Sequence, residues 1–410
     1  MSFNSALSGL RAASSDLSVV GNNIANASTV GFKSSRAEFA DVYANSQIGS
    51  GSNAIGSGVV VADVAQQFTQ GSVNFTGNAL DLAVNGNGFF VFSNAGAVSY
   101  SRSGALGQDK NGFIVNDVSA KLQGFTVNAS GDVSGSLSDI QISTANQAPQ
   151  ASAGLTSQVN LDATATAILQ AVRPFDATDQ STYHSATSLA VYDSLGNSHV
   201  LTEYFVKRAQ NDWDMIIQID GADIGAAGAE EIVNITFNTD GTIQGPLTPV
   251  TLGNWAPGTG ALTPSSFTVN LQGTSQFGSP FSVNDLSQDG FTTGRLVGLD
   301  VADGGSLFAR YTNGQSTVLA VIGLANFNNP QGLSQSGGTA WRETFDSGPA
   351  IVGAPGTSSL GVVQSGALED SNVEISEELV RLIIAQRNYQ ANAKTIEAEN
   401  AVTQAILNLR

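Results

Sequence analysis

Cysteine is absent from the 410-residue chain, which removes disulfide staples, thiolate metal sites and thiol nucleophiles together. Charge is scarce too: 12% of residues are charged, and 16 basic against 34 acidic side chains leave a formal net charge of −18. Phosphate backbones are held by clustered Lys and Arg, so this composition argues against a nucleic-acid partner. Long apolar runs are missing; no stretch approaches the ~20 residues of a membrane span, which argues against membrane insertion. The opening "MSFNSALSGLRAASSDL" has neither the basic start nor the unbroken apolar core of a secretory signal. Composition taken alone places the chain in the cytoplasm.

Candidates for chemistry are equally few. His184 and His199 are the two side chains with an ordinary pKa near neutrality, and both are expected as ordinary exposed histidines. "NTDGT" and "LDVADGGS" carry acidic turn residues without the further oxygen ligands of a calcium loop. The glycines of "NGNGF" are not followed by the Lys and Ser/Thr of a phosphate loop. Asn-x-Ser/Thr sequences at Asn26, Asn74, Asn128 and Asn234 arise by chance in a chain this rich in those residues, and receive no role. Trp213, Trp255 and Trp341 are expected in cores. No catalytic, metal-binding or cofactor-binding residue is expected, no cofactor is assigned, and the chain is not read as an enzyme.

What the chain has in abundance is glycine, 45 residues of it, with Ser, Thr, Asn and Asp between short apolar runs. That pattern suits β-rich domains with tight turns. Asn-Gly pairs at 85–86, 87–88 and 111–112 favour hairpins. "VYDSLGNSHVLTEYFVKR" and "NDWDMIIQID" read as an antiparallel unit, and "STVLAVIGLANF" (316–327) as a buried strand returning to an earlier sheet. Length allows two to four domains.

The two ends read differently. Phe3, Leu10, Leu17 and Ile24 recur every seven residues, with Leu7, Ser14 and Gly21 between them and Ala6, Ala13 and Val20 widening the stripe. A helix over 3–24 would be ~33 Å long. At the other end, Ile375, Leu379, Leu382, Tyr389, Ala393 and Ile396 alternate at four- and three-residue spacing, with Leu407 near the finish. A capping box from Ser371 to Glu374 would open a helix of ~57 Å over 372–409. Such helices are marginal alone, so these apolar residues are the candidate subunit-assembly interface. Packing of both helices on the globular middle is the alternative. Between the first helix and the β region lies "GNNIANASTVGFKSS", where Asn22, Asn23, Asn26, Gly31 and Phe32 are candidate connector and turn residues.

The fold class expected is α+β: long terminal helices forming a coiled-coil-like inner domain, with two largely antiparallel β domains in the middle. The divisions are 1–30 with 370–410 as the helical domain and 31–79 as connector. Residues 80–149 with 289–369 form an inner β domain, and 150–288 an outer inserted β domain. Within the connector, the low-complexity stretch 45–58 is expected to be extended or mobile.

Residues 1–44, with "GNNIANASTVGFK", and 365–410, with "QRNYQAN", resemble the bacterial flagellar rod and hook axial protein family. "VYDSLGNSHVLTEYFVK" and "VIGLANFNNPQGLSQSG" are similar to the hook-subunit branch of it. The resemblance implies a structural subunit of a flexible helical tube, a universal joint between motor and filament. It implies that asparagines at the helix end satisfy backbone groups while Phe32 anchors the outward turn. As partners it implies further copies of the chain, a distal rod protein, a hook-filament junction protein, a hook cap during assembly and the flagellar type III export apparatus. Export without a cleaved signal would place the protein outside the cell, replacing the cytoplasmic reading. A distal rod or other basal-body axial subunit is the rival within the family. A secreted adhesin or carbohydrate-active enzyme is the rival outside it.

Overall fold

The computed structural model describes residues 2–42, 56–128, 133–143, 145–225, 229–262 and 265–408. Of the expected connector 45–58, residues 45–55 lie outside the described residues. The chain is mostly β, with one α-helix near each end, α1 (Ser2–Ala25) and α2 (Ile375–Asn408). It divides into two units: Met1–Thr144 with Gly298–Arg310 and Ser316–Arg410, and Ala145–Val297 with Tyr311–Gln315.

In the first unit, the central sheet runs from the strand Leu296–Val301 through Ser306–Tyr311, Ser316–Ile322, Lys121–Val127, Phe89–Asn94, Ala97–Ser101 and Ala340–Arg342 to Ser334–Gly337. The late strand Ser316–Ile322 pairs antiparallel with Lys121–Val127, so the chain does return to an earlier sheet. Edge-to-face rings form the core beneath it: Phe89 lies 5.6 Å from Trp341 and 5.7 Å from Phe68, and Tyr100 lies 4.8 Å from Phe327. Two further strands, β1 (Ser35–Asp41) and β2 (Val59–Gln66), pair antiparallel and pack against α1.

The Asn-Gly pairs at 85–86 and 87–88 do not make a hairpin. The strand Leu82–Asn85 pairs with Val362–Ser365, and Phe89–Asn94 pairs with Ala97–Ser101. The tight turn is instead Ala95-Gly96, whose φ values of 51° and 87° match the twist of the flanking strands. At 111–112 the turn does join two short strands, Gly107–Gln108 and Ile114–Val115.

The second unit holds a six-stranded and a five-stranded sheet around one apolar core. Ser185–Tyr192, Ser198–Ala209, Asp212–Ile219 and Glu231–Phe237 follow one another antiparallel, as their alternation implies. The other sheet is mixed, since Gly154–Asp162 runs parallel to Ser265–Asn270 and to Ser275–Phe277. All three tryptophans are buried: Trp213 and Trp255 here, Trp341 in the first unit.

The inward face of Ser198–Ala209 carries three polar side chains among its apolar ones, and each is accommodated differently. Lys207 Nζ donates to the Ala163 carbonyl at 2.6 Å. His199 is buried, contrary to its expected exposure: Nδ1 lies 2.6 Å from Asp220 Oδ2 and the ring stands edge-to-face with Trp255. His184 is half-buried, its Nε2 lying 2.8 Å from the Thr166 carbonyl. Glu203 is fully buried; Ser157 Oγ donates to Oε2 at 2.6 Å, while Oε1 has no partner.

Burial pushes the Glu203 carboxyl up to about 7, against the smaller opposing effect of the Ser157 hydrogen bond. The unfolded chain releases that proton near pH 4.5, so between about 4.5 and 7 the folded state binds more protons. Stability therefore falls as pH rises through that window and the loss is complete above it. At 1.36 kcal/mol per unit the effect is on the order of 3 kcal/mol. Glu203→Gln should raise the denaturation midpoint of this unit at pH 8 and leave it nearly unchanged at pH 4, measured by urea titration at both.

Candidate assembly surface and the helix-body junction

α1 and α2 lie antiparallel against one another. A Cβ on Gly9 would lie 2.6 Å from Asn392 Oδ1, and the carboxyl of Asp16 feels the charge of Arg381, so rising numbers on one helix meet falling numbers on the other. Asp16 is held above the usual carboxylate range by burial, which Arg381 partly offsets. α1 turns a small-residue stripe inward: Ala6, Ala13 and Val20 are buried. The larger Leu7, Leu10, Leu17 and Ile24 are half-buried and Phe3 is exposed, so the broad side chains are not what α1 spends on its own chain.

α2 is more open. Glu378 and Ala385 are its buried side chains among the described ones, whereas Ile375, Leu379, Val380, Ile383, Ile384, Tyr389 and Leu407 are exposed, Leu379 at 45%. Leu382 and Ile396 are half-buried. The capping box does not form. Ser371 Oγ accepts from the Val373 amide at 3.3 Å, and the helix begins later, where the Glu378 amide donates to the Glu374 carbonyl at 3.0 Å.

Where α1 ends and α2 begins, three segments are tied together. Asn23 is buried and grips the backbone of Ser35 twice, accepting from its amide at 2.9 Å and donating to its carbonyl at 2.8 Å. The Asn26 amide group donates to the Asn22 carbonyl at 3.0 Å, and Asn26 Oδ1 accepts from Thr29 Oγ1. These are the bonds that let a helix stop while satisfying its last carbonyls. Gly31 has φ 68°, and a Cβ there would lie 2.4 Å from the Ser103 amide nitrogen, so both conformation and space require glycine. Phe32 is half-buried, and the deep anchor is its neighbour Lys33.

Lys33 and Glu369 have no side-chain exposure, and Nζ donates to Oε1 at 2.5 Å. Lys33 also donates to the Thr69 carbonyl at 2.7 Å, and the Gly71 amide donates to the same Oε1 at 2.9 Å. Arg102 Nη1 donates to Glu369 Oε2 at 3.2 Å, its Nη2 to the Gly86 carbonyl at 2.9 Å, and its guanidinium lies 5.3 Å from the Phe89 ring centre. The Gly31 amide donates to the Glu369 carbonyl at 2.8 Å. Asn372 completes the tie, accepting from the Ser34 amide at 2.8 Å and donating to the Gln67 carbonyl at 2.7 Å. Burial pulls the pKa of Lys33 below the ordinary lysine range, opposed by Glu369, and lowers that of Arg102 in the same way.

Of the predicted connector residues, Asn22, Asn23, Asn26, Gly31 and Phe32 do sit together here. Lys33, Arg102, Glu369 and Asn372 were not foreseen. Charge scarcity makes a lysine in "VGFKSS" and a glutamate just ahead of α2 conspicuous, but the partners are 336 positions apart. Among the described residues no group of three or more His, Asp or Glu side chains could hold a metal.

Similarity to known proteins runs the length of the chain. Residues 3–33 match the family described as flagella basal body rod protein, and 83–167 the flagellar hook protein FlgE/F/G D1 domain. Residues 160–291 match the flagellar basal body protein FlaE D2 domain, and 364–409 the flagellar basal body rod FlgEFG protein C-terminal. Flagellar hook protein FlgE of Escherichia coli K12 is 37% identical over 417 residues, covering 100% of both chains. The same protein of Salmonella typhimurium LT2 is 35% identical over 413 residues, again covering 100% of both. In fold, the crystal structure of Helicobacter pylori flagellar hook protein FlgE2 is similar, with TM-score 0.54 and 13% identity over 72% of this chain and 100% of that one.

The buried cluster holds two cations and one anion, so its members are not equivalent. Glu369→Gln strands two buried positive groups and should cost on the order of 3–5 kcal/mol of unfolding free energy. Lys33→Met leaves the Arg102–Glu369 pair neutral and should cost less. Guanidinium titrations of the two variants in a W213F/W255F background, where Trp341 is the remaining tryptophan, check the order.

Proposed function

The chain belongs to the flagellar hook protein FlgE family, and from that premise we propose how it works: its copies polymerise through their helical ends into a flexible tube that passes torque from rod to filament as a universal joint. The observation that carries this reading is the apolar surface of α2. A 34-residue helix, ~51 Å long, leaves Ile375, Leu379, Val380, Ile383 and Ile384 in water within its first turns. Contiguous exposed apolar side chains of this kind mark an association surface.

On this reading the terminal helices form a coiled-coil-like inner domain, with Phe3, Leu7, Leu10, Leu17 and Ile24 of α1 and Ile375, Leu379, Leu382, Tyr389, Ile396 and Leu407 of α2 meeting helices of other copies. Residues 31–79 connect it outward, 80–149 with 289–369 form an inner β domain, and 150–288 an outer inserted one. A tube that bends while it spins moves each subunit through compressed and extended neighbour contacts, which favours polar interfaces without deep anchors on the β domains. Ser, Thr, Asn and Gly supply such surfaces. The further partners are a distal rod protein, a hook-filament junction protein, a hook cap and the type III export apparatus, and the site of action is the extracellular hook. Non-enzymatic action accords with the structural role of the family. The rival role of a distal rod subunit is disfavoured by the long β insertion.

Replacing Leu379 and Leu382 together by Asp removes two side chains worth roughly 1.5–3 kcal/mol each on burial. The critical concentration for polymerisation should rise roughly a hundredfold or more. Sedimentation and electron microscopy should find soluble monomers whose β units give unchanged near-ultraviolet circular dichroism, whereas normal tubes from this variant would overturn the helical interface.

A further inference from the structure

In the second unit the segment 163–168 forms a strap tied at both its ends to the strand Ser198–Ala209. Lys207 Nζ donates to the Ala163 carbonyl at 2.6 Å and Arg208 Nη1 to the Ile168 carbonyl at 3.2 Å, while the Ile168 amide donates to the Lys207 carbonyl at 2.8 Å. Between these ties, His184 Nε2 lies 2.8 Å from the Thr166 carbonyl. The strap bridges two apolar clusters. Ala165 packs against the main core of the unit, and Ile168 against a smaller group formed by Phe175, Val206 and Ile216.

The partners of the His184 ring fix its protonation. A carbonyl oxygen can only accept, so Nε2 carries a hydrogen; on the other side the Lys207 amide donates to Nδ1 at 3.2 Å, so Nδ1 offers a lone pair. Only the neutral ring satisfies both. A second proton, on Nδ1, would set N–H against N–H and leave the Lys207 amide without its acceptor. The charges that face the ring oppose that proton too: Lys207 and Arg208 from the strand outweigh Asp162 ahead of the strap. From the strand Asp212–Ile219 the neighbour is the Trp213 ring, edge-to-face at 5.4 Å, and Asp214 there is bonded to Arg208 at 2.7 Å. Burial first, then Lys207 and Arg208, hold the imidazole below its ordinary range, with the Thr166 bond opposing.

We propose that His184 is a pH-sensitive latch: when Nδ1 takes a proton the ring leaves its seat, and the strap 163–168 detaches from the strand. A detached ring, in water, binds its proton near pH 6.5, whereas the seated ring has no place for it until the pH is lower. Falling pH therefore favours detachment, by roughly tenfold between about pH 7.5 and 5.5. Glu203 acts the other way over this range, since its buried carboxyl stabilises the unit as pH falls. A strap that loosens under mild acid is thus a local event, and it withdraws Ala165 and Ile168 from the two clusters they close. The latch operates within one chain and does not depend on the self-assembling role proposed above.

Amide hydrogen exchange of the full-length chain, kept monomeric by dilution and corrected for the pH dependence of intrinsic exchange, provides the test. Protection of the Ile168 and Lys207 amides should fall roughly tenfold from pH 7.5 to 5.5, while amides of Asp212–Ile219 keep theirs. The His184 ring, identified in nuclear magnetic resonance spectra by its contact with Trp213, should gain its proton over the same interval. H184Q carries no titrating group, so its strap, whatever its baseline protection, should show no change between the two pH values. Equal protection of the wild-type strap at both pH values, or the same loss in H184Q, overturns the latch. Loss shared equally by Asp212–Ile219 overturns it as well, being unfolding of the whole unit. Should H184Q fail to fold, the wild-type chain decides alone: exchange that does not follow the ring titration overturns the latch.

Discussion

The carboxylate of Glu369 is withdrawn entirely from water and accepts from Lys33, Arg102 and the Gly71 amide. Glu369 stands just ahead of α2, and Lys33 follows α1 by a few residues, so one buried ion cluster fixes where both helices leave the β structure. Neither helix end can shift without exposing or stranding a charge, and a stranded buried charge is among the costliest single defects a fold can carry. Gly31 and Asn372 add backbone bonds across the same three segments. The helices thus emerge from a fixed base.

What they present from that base is unfinished. α1 uses Ala6, Ala13 and Val20 inward, and small side chains let α2 approach closely, as Gly9 against Asn392 illustrates. The larger side chains of both helices remain partly or wholly in solvent, and in the first turns of α2 they are exposed over about half of the circumference. Stable anchoring at the junction and incomplete burial beyond it are complementary. On the proposed helical interface, having the direction of the helices set in advance means that less freedom is lost on association.

The helices were legible in the sequence because their apolar spacing is sustained over many turns; α1 at Ser2–Ala25 lies within a residue of its predicted span. The antiparallel strands of the second unit and the return of Ser316–Ile322 were legible for a like reason, since alternation and turn residues are local signals. The junction was legible in half. Its asparagines and Gly31 form a local motif, whereas Lys33, Arg102 and Glu369 are brought together only by the complete fold. Ser371 and Glu374 satisfy the spacing of a capping box, but the backbone of 371–373 is committed to the clasp around Asn372, and the helix starts afterwards. His199 was misplaced because nothing near it in sequence signals that Asp220 and Trp255 will enclose it.

Amide hydrogen exchange on the full chain, compared between dilute monomer and assembled polymer, addresses the central claim most directly. The amide of Gly31, bonded to the Glu369 carbonyl, and that of Gly71, bonded to its carboxylate, should exchange slowly in both states. Amides of α2 should exchange fast in the monomer and slowly in the polymer. Equal, strong protection of α2 in the monomer would contradict the account, since its apolar surface would then need no other copy to complete it.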